Sequence, residues 1–292
     1  MNTLKTFMLM LVLLLLFMWL GYLFGGSGGM LFAFVFASLL NFGMYWFSDK
    51  LVLKMYKARE VNETDHPRLY RIVKSVAQKA MLPMPKIYIV PSQGPNAFAT
   101  GRNPQNAAVA ATEGILQILN DDELEGVIGH EMAHVQNRDM LIGTIAATFA
   151  GAIGYIAHMA QWGALFGGFG GRSDENRGGG GMIGILVAAV VAPLAAMLLQ
   201  TAISRQREYK ADAEGGRITG KYHGLASALE KLHRSPVQLK LDDKPATANL
   251  MIINPLSGKG MINLFSTHPP VQERIKRLRD LAQHSVYTGF TG

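Results

Sequence analysis

Three long stretches without a formally charged side chain constrain this sequence more than any other feature. Thr6 to Ser48 gives 43 such residues, Met140 to Gly171 gives 32, and Gly178 to Ser204 gives 27. A core helix of a soluble domain still shows a polar face, whereas about 20 apolar residues in a row cross a bilayer. With 49% hydrophobic and only 17% charged residues, both a soluble globular enzyme and a disordered chain are excluded. The first stretch is too long for one span. The run Gly25-Gly26-Ser27-Gly28-Gly29 divides it and favours a tight turn. Spans are therefore expected at Leu4–Phe24 and Met30–Phe47, with Trp19, Tyr22, Tyr45 and Trp46 near their ends as interfacial aromatics. A third is expected at Leu141–Phe166 and a fourth at Met182–Ile203, both rich in the Gly and Ala that let helices pack closely. The length of the first apolar run, and the second span right behind it, argue against a cleaved signal peptide.

The placement of Lys and Arg orients these spans. Eleven basic residues fall in 48–140 and fourteen in 204–292, but only Arg172 and Arg177 in the loop 165–181. Basic loops stay on the cytoplasmic side, so both long polar segments and both termini are expected there, with the glycine-rich loops outside. The net charge of +7 has its surplus after residue 204. No Lys/Arg run with interleaved aromatics appears, so this surplus suits anionic lipid and gives no sign of nucleic acid. The absence of cysteine excludes disulfides, thiolate metal sites and a cysteine nucleophile.

The polar segments carry their own patterns. Residues 66–82 space Leu69, Ile72, Val73, Val76 and Ala80 as one face of a helix that Pro83 ends. Lys86–Val90 alternates as a strand, and Asn96–Thr100 and Ala107–Thr112 read as two more around a Gly101–Gln105 turn. Asn120-Asp121-Asp122-Glu123 has the form of a capping box opening a helix. No stop signal follows, so that helix is expected to run on towards the third span.

On this helix lies His130-Glu131-Met132-Ala133-His134. Residues four apart share a helical face, so both imidazoles can reach one metal ion with Glu131 beside it. The uncharged flanks Val127, Ile128, Gly129, Met132, Ala133 and Val135 suit a buried metal helix better than two incidental surface histidines. A catalytic zinc takes three protein ligands and keeps one position for water. No further histidine follows at the needed distance, so a third ligand must come from afar. In Ser204–Asp212 (SRQREYKAD), Glu208 and Asp212 again share a face. Glu208 could bind the metal while Asp212 accepts the outer N–H of a ligand histidine, or both could belong to a solvated face after a span.

Taken in order, HEMAH, two apolar spans, RQREYKAD and Ser266-Thr267-His268-Pro269-Pro270 resemble the membrane zinc metalloproteases of the HtpX type, relatives of the CAAX prenyl endoproteases. The resemblance covers almost the whole chain. It implies a mainly α integral membrane protein of four transmembrane helices, with a cytoplasmic α+β zincin-like (gluzincin) protease domain holding a small sheet. The division would be 1–48 for the first helix pair, 49–140 for the first protease piece, 141–203 for the second pair and 204–292 for the piece with the third ligand. It implies one Zn2+ per chain on His130, His134 and Glu208, Glu131 as catalytic base, and Arg205 with Asp212 as supports of the ligands. Asn96, Ala97 and Phe98 would lie on an edge strand that aligns substrate, with Asn96 holding the substrate backbone. His268 would donate to the oxyanion, although a histidine capping the helix at Val271–Leu281 reads almost as well.

The activity so implied is a heat-shock-linked endopeptidase of the bacterial inner membrane. It would cut cytoplasmic parts of unfolded or damaged membrane proteins, working in the bilayer alongside other membrane quality-control proteases. The expected chemistry has Glu131 take a proton from a zinc-activated water and pass it to the leaving amine. A peptidase dedicated to one membrane or lipidated partner, or a zinc-binding scaffold without catalysis, would share much of this sequence. Glu131 argues against the scaffold, and the lack of Lys, Arg, Asp and Glu in the spans, Lys5 at the edge of the first excepted, argues against a transporter. His158, within the third span, reads as a packing or hydrogen-bonding residue. The loop Leu241–Thr247 is a candidate for self-cleavage.

Overall fold

A computed structural model describes residues 2–141, 143–145, 205–235, 252 and 269–288. The expected third and fourth spans beyond residue 145, the loop 165–181, His158, the loop 241–247 and His268 lie outside the described residues.

Helix α1 (Asn2–Met55) is two arms meeting at Gly25 and Gly26, the latter at φ +58°. The arms fold back as a hairpin, long and apolar enough to cross a membrane at Thr6–Leu23 and again within Gly25–Met55. The break is narrower than the glycine run suggested. Gly28 and Gly29 belong to the second arm, and Gly29 serves packing: a Cβ there would stand 2.2 Å from Gly21 O. Further along the hairpin, Phe17 meets Phe36 at 6.2 Å and Asn41 Nδ2 donates to Met10 O at 3.1 Å. Most large side chains, among them Phe7, Leu15, Phe32, Leu39 and Phe42, face outwards, as a lipid-covered surface requires.

The second arm also runs past its expected end at Phe47, through Asp49 and Lys50, to Met55. It continues because Val52, Leu53 and Tyr56 pack on a four-stranded sheet, with Tyr56 against Phe98 at 5.1 Å. Arg102 stacks its guanidinium 4.4 Å from the Trp46 ring, tying the sheet to the membrane arm.

The sheet contains β1 (Arg59–Val61), β2 (Lys86–Val90), β3 (Ala97–Gly101) and β4 (Ala107–Thr112), in the order β1-β2-β4-β3. β1 was not anticipated; three residues with exposed Arg59 and Glu60 leave no readable alternation. β2 and β4 run parallel, and the other pairs are antiparallel. From β2 the chain passes to the far edge for β3 and returns through a turn into the middle. Alternation sorts the two faces. Tyr88, Val90, Phe98, Ala108 and Ala110 meet the end of α1, while Ile87, Ile89, Ala97, Ala99, Val109 and Ala111 face the main core. Alanine is a weak strand former, but a sheet covered on both faces needs small side chains.

The main core is closed by α2 (Pro67–Lys79), α3 (Glu113–Ile118), α4 (Asp121–Asn137), α5 (Arg205–Thr219), α6 (Tyr222–Arg234) and α7 (Val271–Thr288). α2 buries the stripe read from its sequence, Leu69, Ile72, Val73 and Val76. α4 opens with the expected box: Asn120 Oδ1 accepts Glu123 N–H at 2.9 Å, and Glu123 Oε2 accepts Asn120 N–H at 2.9 Å. It does not run on towards the third span. Arg138, left-handed at φ +57°, ends it, and helix resumes only at Met140. Both α4 and its continuation are thereby fixed: Leu141 and Ile145 pack against Leu9 and Leu13 of the hairpin.

Candidate metal centre

α4 crosses α5 at two glycines. A Cβ at Gly215 would lie 2.6 Å from His130 N and 2.8 Å from Gly129 C, and one at Gly129 would lie 2.6 Å from Thr219 Cγ2. The two backbones thus touch one residue before His130. That contact sets Glu208 and Asp212, on the first two turns of α5, opposite the two histidines.

The four groups converge. His130 Nε2 and His134 Nε2 stand 3.2 Å apart. Glu208 approaches them at 3.7 Å from His130 Nε2 and 3.6 Å from His134 Nε2. A tetrahedral zinc with bonds of 2.0–2.2 Å separates its ligand atoms by roughly 3.3–3.6 Å, so this spacing suits that ion. The outer ring nitrogens are answered by carboxylates: Asp212 Oδ1 lies 2.9 Å from His130 Nδ1, oblique to the ring N–H, and Asp139 Oδ2 lies 3.3 Å from His134 Nδ1. With a carboxylate oxygen beside each Nδ1, the two rings turn their Nε2 atoms to one point. They need a cation between them, a proton or a metal ion. Two imidazoles and a carboxylate, without sulfur, form a donor set suited to zinc.

Electrostatics follows from burial. His130 is 1% exposed, Asp212 3% and Glu131 6%. Burial raises the Glu131 carboxyl above its ordinary range against the pull of both histidines, which favours proton uptake. Burial opposes a charge on His134, but the hydrogen bond to Asp139 and the charges of Glu208 and Glu131 outweigh it, raising His134 to about 9 in the metal-free site. Asp212 is held below the carboxylate range: burial pushes it up, and the Arg274 guanidinium more than offsets this.

Glu131 is also anchored to the sheet. Its Oε2 accepts the Ala99 N–H at 2.8 Å. In the β3–β4 ladder the main-chain groups of residues 96, 98 and 100 turn inwards, as Thr112 N–H donating to Asn96 O shows. Ala97 and Ala99 therefore present theirs to the outer edge, beside the metal site.

The other expected residues fall as follows. The Phe98 side chain turns away from the site into the α1 packing. Asn96 is buried, and its Oδ1 accepts Ile252 N–H at 3.0 Å, so this oxygen holds main chain of the protein itself. Arg205 is exposed at the start of α5, where its charge acts on Tyr209 and Glu273. The guanidinium beside Asp212 is instead Arg274, which the sequence pattern did not single out. A signal existed: Arg274 is three residues after Val271 and four before Leu278, on the buried stripe of α7. Asp139 was also missed. The left-handed Arg138 swings it back to His134, and no periodicity announces a residue beyond a helix end.

Peptidase family M48 matches residues 63–282 of this chain. A protease HtpX homolog of Syntrophobacter fumaroxidans is 54% identical over 281 residues, covering 95% of this chain and 98% of the relative. One of Syntrophotalea carbinolica is 56% identical over 285 residues, covering 96% and 99%. Among solved structures, the crystal structure of S. mikatae Ste24p shares the fold at a TM-score of 0.53 and 17% identity, covering 91% of this chain. The chain spans 62% of the length of that Ste24p chain.

Proposed function

The chain belongs to peptidase family M48 and is a zinc-dependent membrane metalloprotease, and from that premise we propose that it clears unfolded or damaged membrane proteins by cutting their cytoplasmic segments. The observation that carries the reading is the convergence of His130, His134 and Glu208 beside a Glu131 bound to the sheet edge. In this reading the chain spans the bacterial inner membrane four times, with both termini and the site cytoplasmic. The basic residues of 48–140 and 204–292 support that orientation. Other membrane quality-control proteases share its substrates.

His130, His134 and Glu208 would hold the zinc. Bound zinc supplies Lewis acidity, lowering the pKa of a water from about 15.7 towards 7 and polarising a carbonyl. Glu131 takes the proton from the attacking water at Oε1 or Oε2 and returns it to the leaving amine. Its burial makes the neutral carboxyl an acceptable intermediate state. An extended substrate adds to the outer edge of β3 through main-chain groups at Ala97 and the Ala99 carbonyl, the Ala99 N–H being held by Glu131, which brings its backbone alongside Glu131. Asn96 supports that edge through Ile252. Asp212 and Asp139 hold the ring tautomers that leave both Nε2 atoms for the metal. His268, three residues before α7, donates to the oxyanion.

The test uses full-length protein in detergent, measuring bound zinc and cleavage of an unfolded model protein together. Glu131→Gln should keep about one zinc per chain and lose cleavage by about 10²–10⁴-fold. His134→Ala should lose the zinc. Cleavage at the wild-type rate by Glu131→Gln would sink the assignment of the base.

A further inference from the structure

Behind the metal ligands lies a buried cation that has no part in the reaction described above. Glu131, Glu208 and Asp212 are all buried, and with histidines neutral when they bind through Nε2, a divalent ion would leave one of the three negative charges to be balanced by the protein. Among the described residues the fully buried cation is Arg274, 1% exposed, in the first turn of α7.

Each of its three nitrogens is engaged. Nε donates to Asp212 Oδ2 at 2.8 Å and one terminal nitrogen to Asp212 Oδ1 at 2.7 Å, the two-pronged grip that a guanidinium makes on a carboxylate. The other terminal nitrogen donates to Ile252 O at 2.8 Å and stands 3.6 Å from Glu208 Oε2. The Asp212 oxygen gripped at 2.7 Å is the one that faces His130 Nδ1. On the far side, Ile252 N–H donates to Asn96 Oδ1. One continuous line of polar contacts thus joins the start of the edge strand to a metal ligand: Asn96, Ile252, Arg274, Asp212, His130.

We propose that Arg274 is a positioning residue of the metal centre: its fork fixes Asp212 so that one oxygen stands against His130 Nδ1, while its remaining nitrogen fixes the Ile252 main chain that braces Asn96. The proposal rests on reading His130 as a metal ligand. The physical reason lies in the ring. His130 offers Nε2 to a metal only while Nδ1 keeps its proton, and that tautomer depends on an acceptor at a fixed place. An aspartate side chain rotates about two bonds. Two parallel hydrogen bonds stop both rotations, which a single ammonium cannot do. His134 does not depend on Arg274, because Asp139 from another part of the chain answers its Nδ1.

A merely structural role, in which Arg274 clamps α7 to α5, predicts something different. The experiment takes full-length protein in detergent and measures its zinc dissociation constant by competition with a chromophoric chelator. The variants are Arg274→Gln, Arg274→Lys, Asp212→Asn and the double change Arg274→Gln with Asp212→Asn, each with its unfolding temperature. Loss of a group that orients a ligand costs about 10–100-fold in metal affinity. Arg274→Gln and Asp212→Asn should each weaken zinc by that factor. The double variant should bind no worse than Asp212→Asn alone, since Arg274 acts through Asp212. Multiplied losses in the double variant, or wild-type affinity with a lowered unfolding temperature, would overturn the proposal. Should Arg274→Gln fail to fold, Arg274→Lys decides: weakened zinc at a near-native unfolding temperature supports it, and undiminished zinc overturns it. A wild-type protein that takes up no zinc would refute the metal reading instead.

Discussion

His134 is the residue whose behaviour depends most on what sits beside it. In the metal-free site its raised pKa of about 9 keeps it protonated at neutral pH, and a metal ion needs the neutral ring. Zinc must therefore displace a proton. Apparent zinc affinity should rise by about tenfold per pH unit up to about pH 9 and level off above it, because there the ring is already neutral. Calorimetry at about pH 7.5 in buffers of differing ionisation enthalpy should detect about one proton released per zinc. Equal heats in all buffers would show that His134 is not raised. Asp139 causes much of this, so Asp139→Asn should both weaken zinc by about 10–100-fold and shrink the proton release. A variant with weaker zinc but unchanged proton release would separate the two effects and rule out Asp139 as the cause of the raised pKa.

At the scale of elements, the site is made by a helix crossing. Alanine for glycine inside a helix normally gains about 0.5–1 kcal/mol. At Gly215 the new Cβ would fall 2.6 Å from His130 N, backbone that cannot move aside. Overpacking of this kind costs about 1–3 kcal/mol, so the cost wins. Gly215→Ala should lower the unfolding midpoint in denaturant and also weaken zinc, since the forced separation withdraws Glu208 from the histidines. A more stable protein with unchanged zinc affinity would show that the crossing has room. The end of α4 invites the opposite change. Arg138 holds a left-handed conformation that costs a side chain about 1–2 kcal/mol and costs glycine little. Arg138→Gly should stabilise the protein while leaving Asp139 in place, which equal zinc affinity would confirm.

For the whole molecule, the hairpin of α1 is the frame. Its arms touch at Gly21 and Gly29, its open end grips Leu141 and Ile145 just beyond the metal helix, and its second arm continues into the sheet. The second arm therefore links the apolar hairpin to the strand on which substrate would lie. With Ser27 beside the closed end and Lys74 on the exposed face of α2, the proposed orientation puts these two on opposite sides of the membrane. The chain has no cysteine, so single Ser27→Cys and Lys74→Cys variants give clean reporters. In intact cells a membrane-impermeant thiol reagent should label Ser27→Cys, and Lys74→Cys only after the membrane is opened. The reverse pattern would invert the topology.

The sequence by itself determined whatever depends on neighbours along the chain. Charge-free length marked apolar helices, Asn120 and Glu123 opened α4, and four-residue spacing put His130 with His134 and Glu208 with Asp212. Each is a local rule, because helix geometry relates residues a turn apart without reference to anything else. Resemblance joined the two pairs, and only the tertiary structure decided how they meet. Gly129 against Gly215 sets the helix separation, Arg138 turns Asp139 onto His134, and α7 delivers Arg274 in place of the expected Arg205. The first and last of these join segments far apart in the chain, and the middle one hangs on a left-handed turn just past a helix end. Their physical cause is shape and charge matching across packed surfaces, which a one-dimensional pattern does not encode.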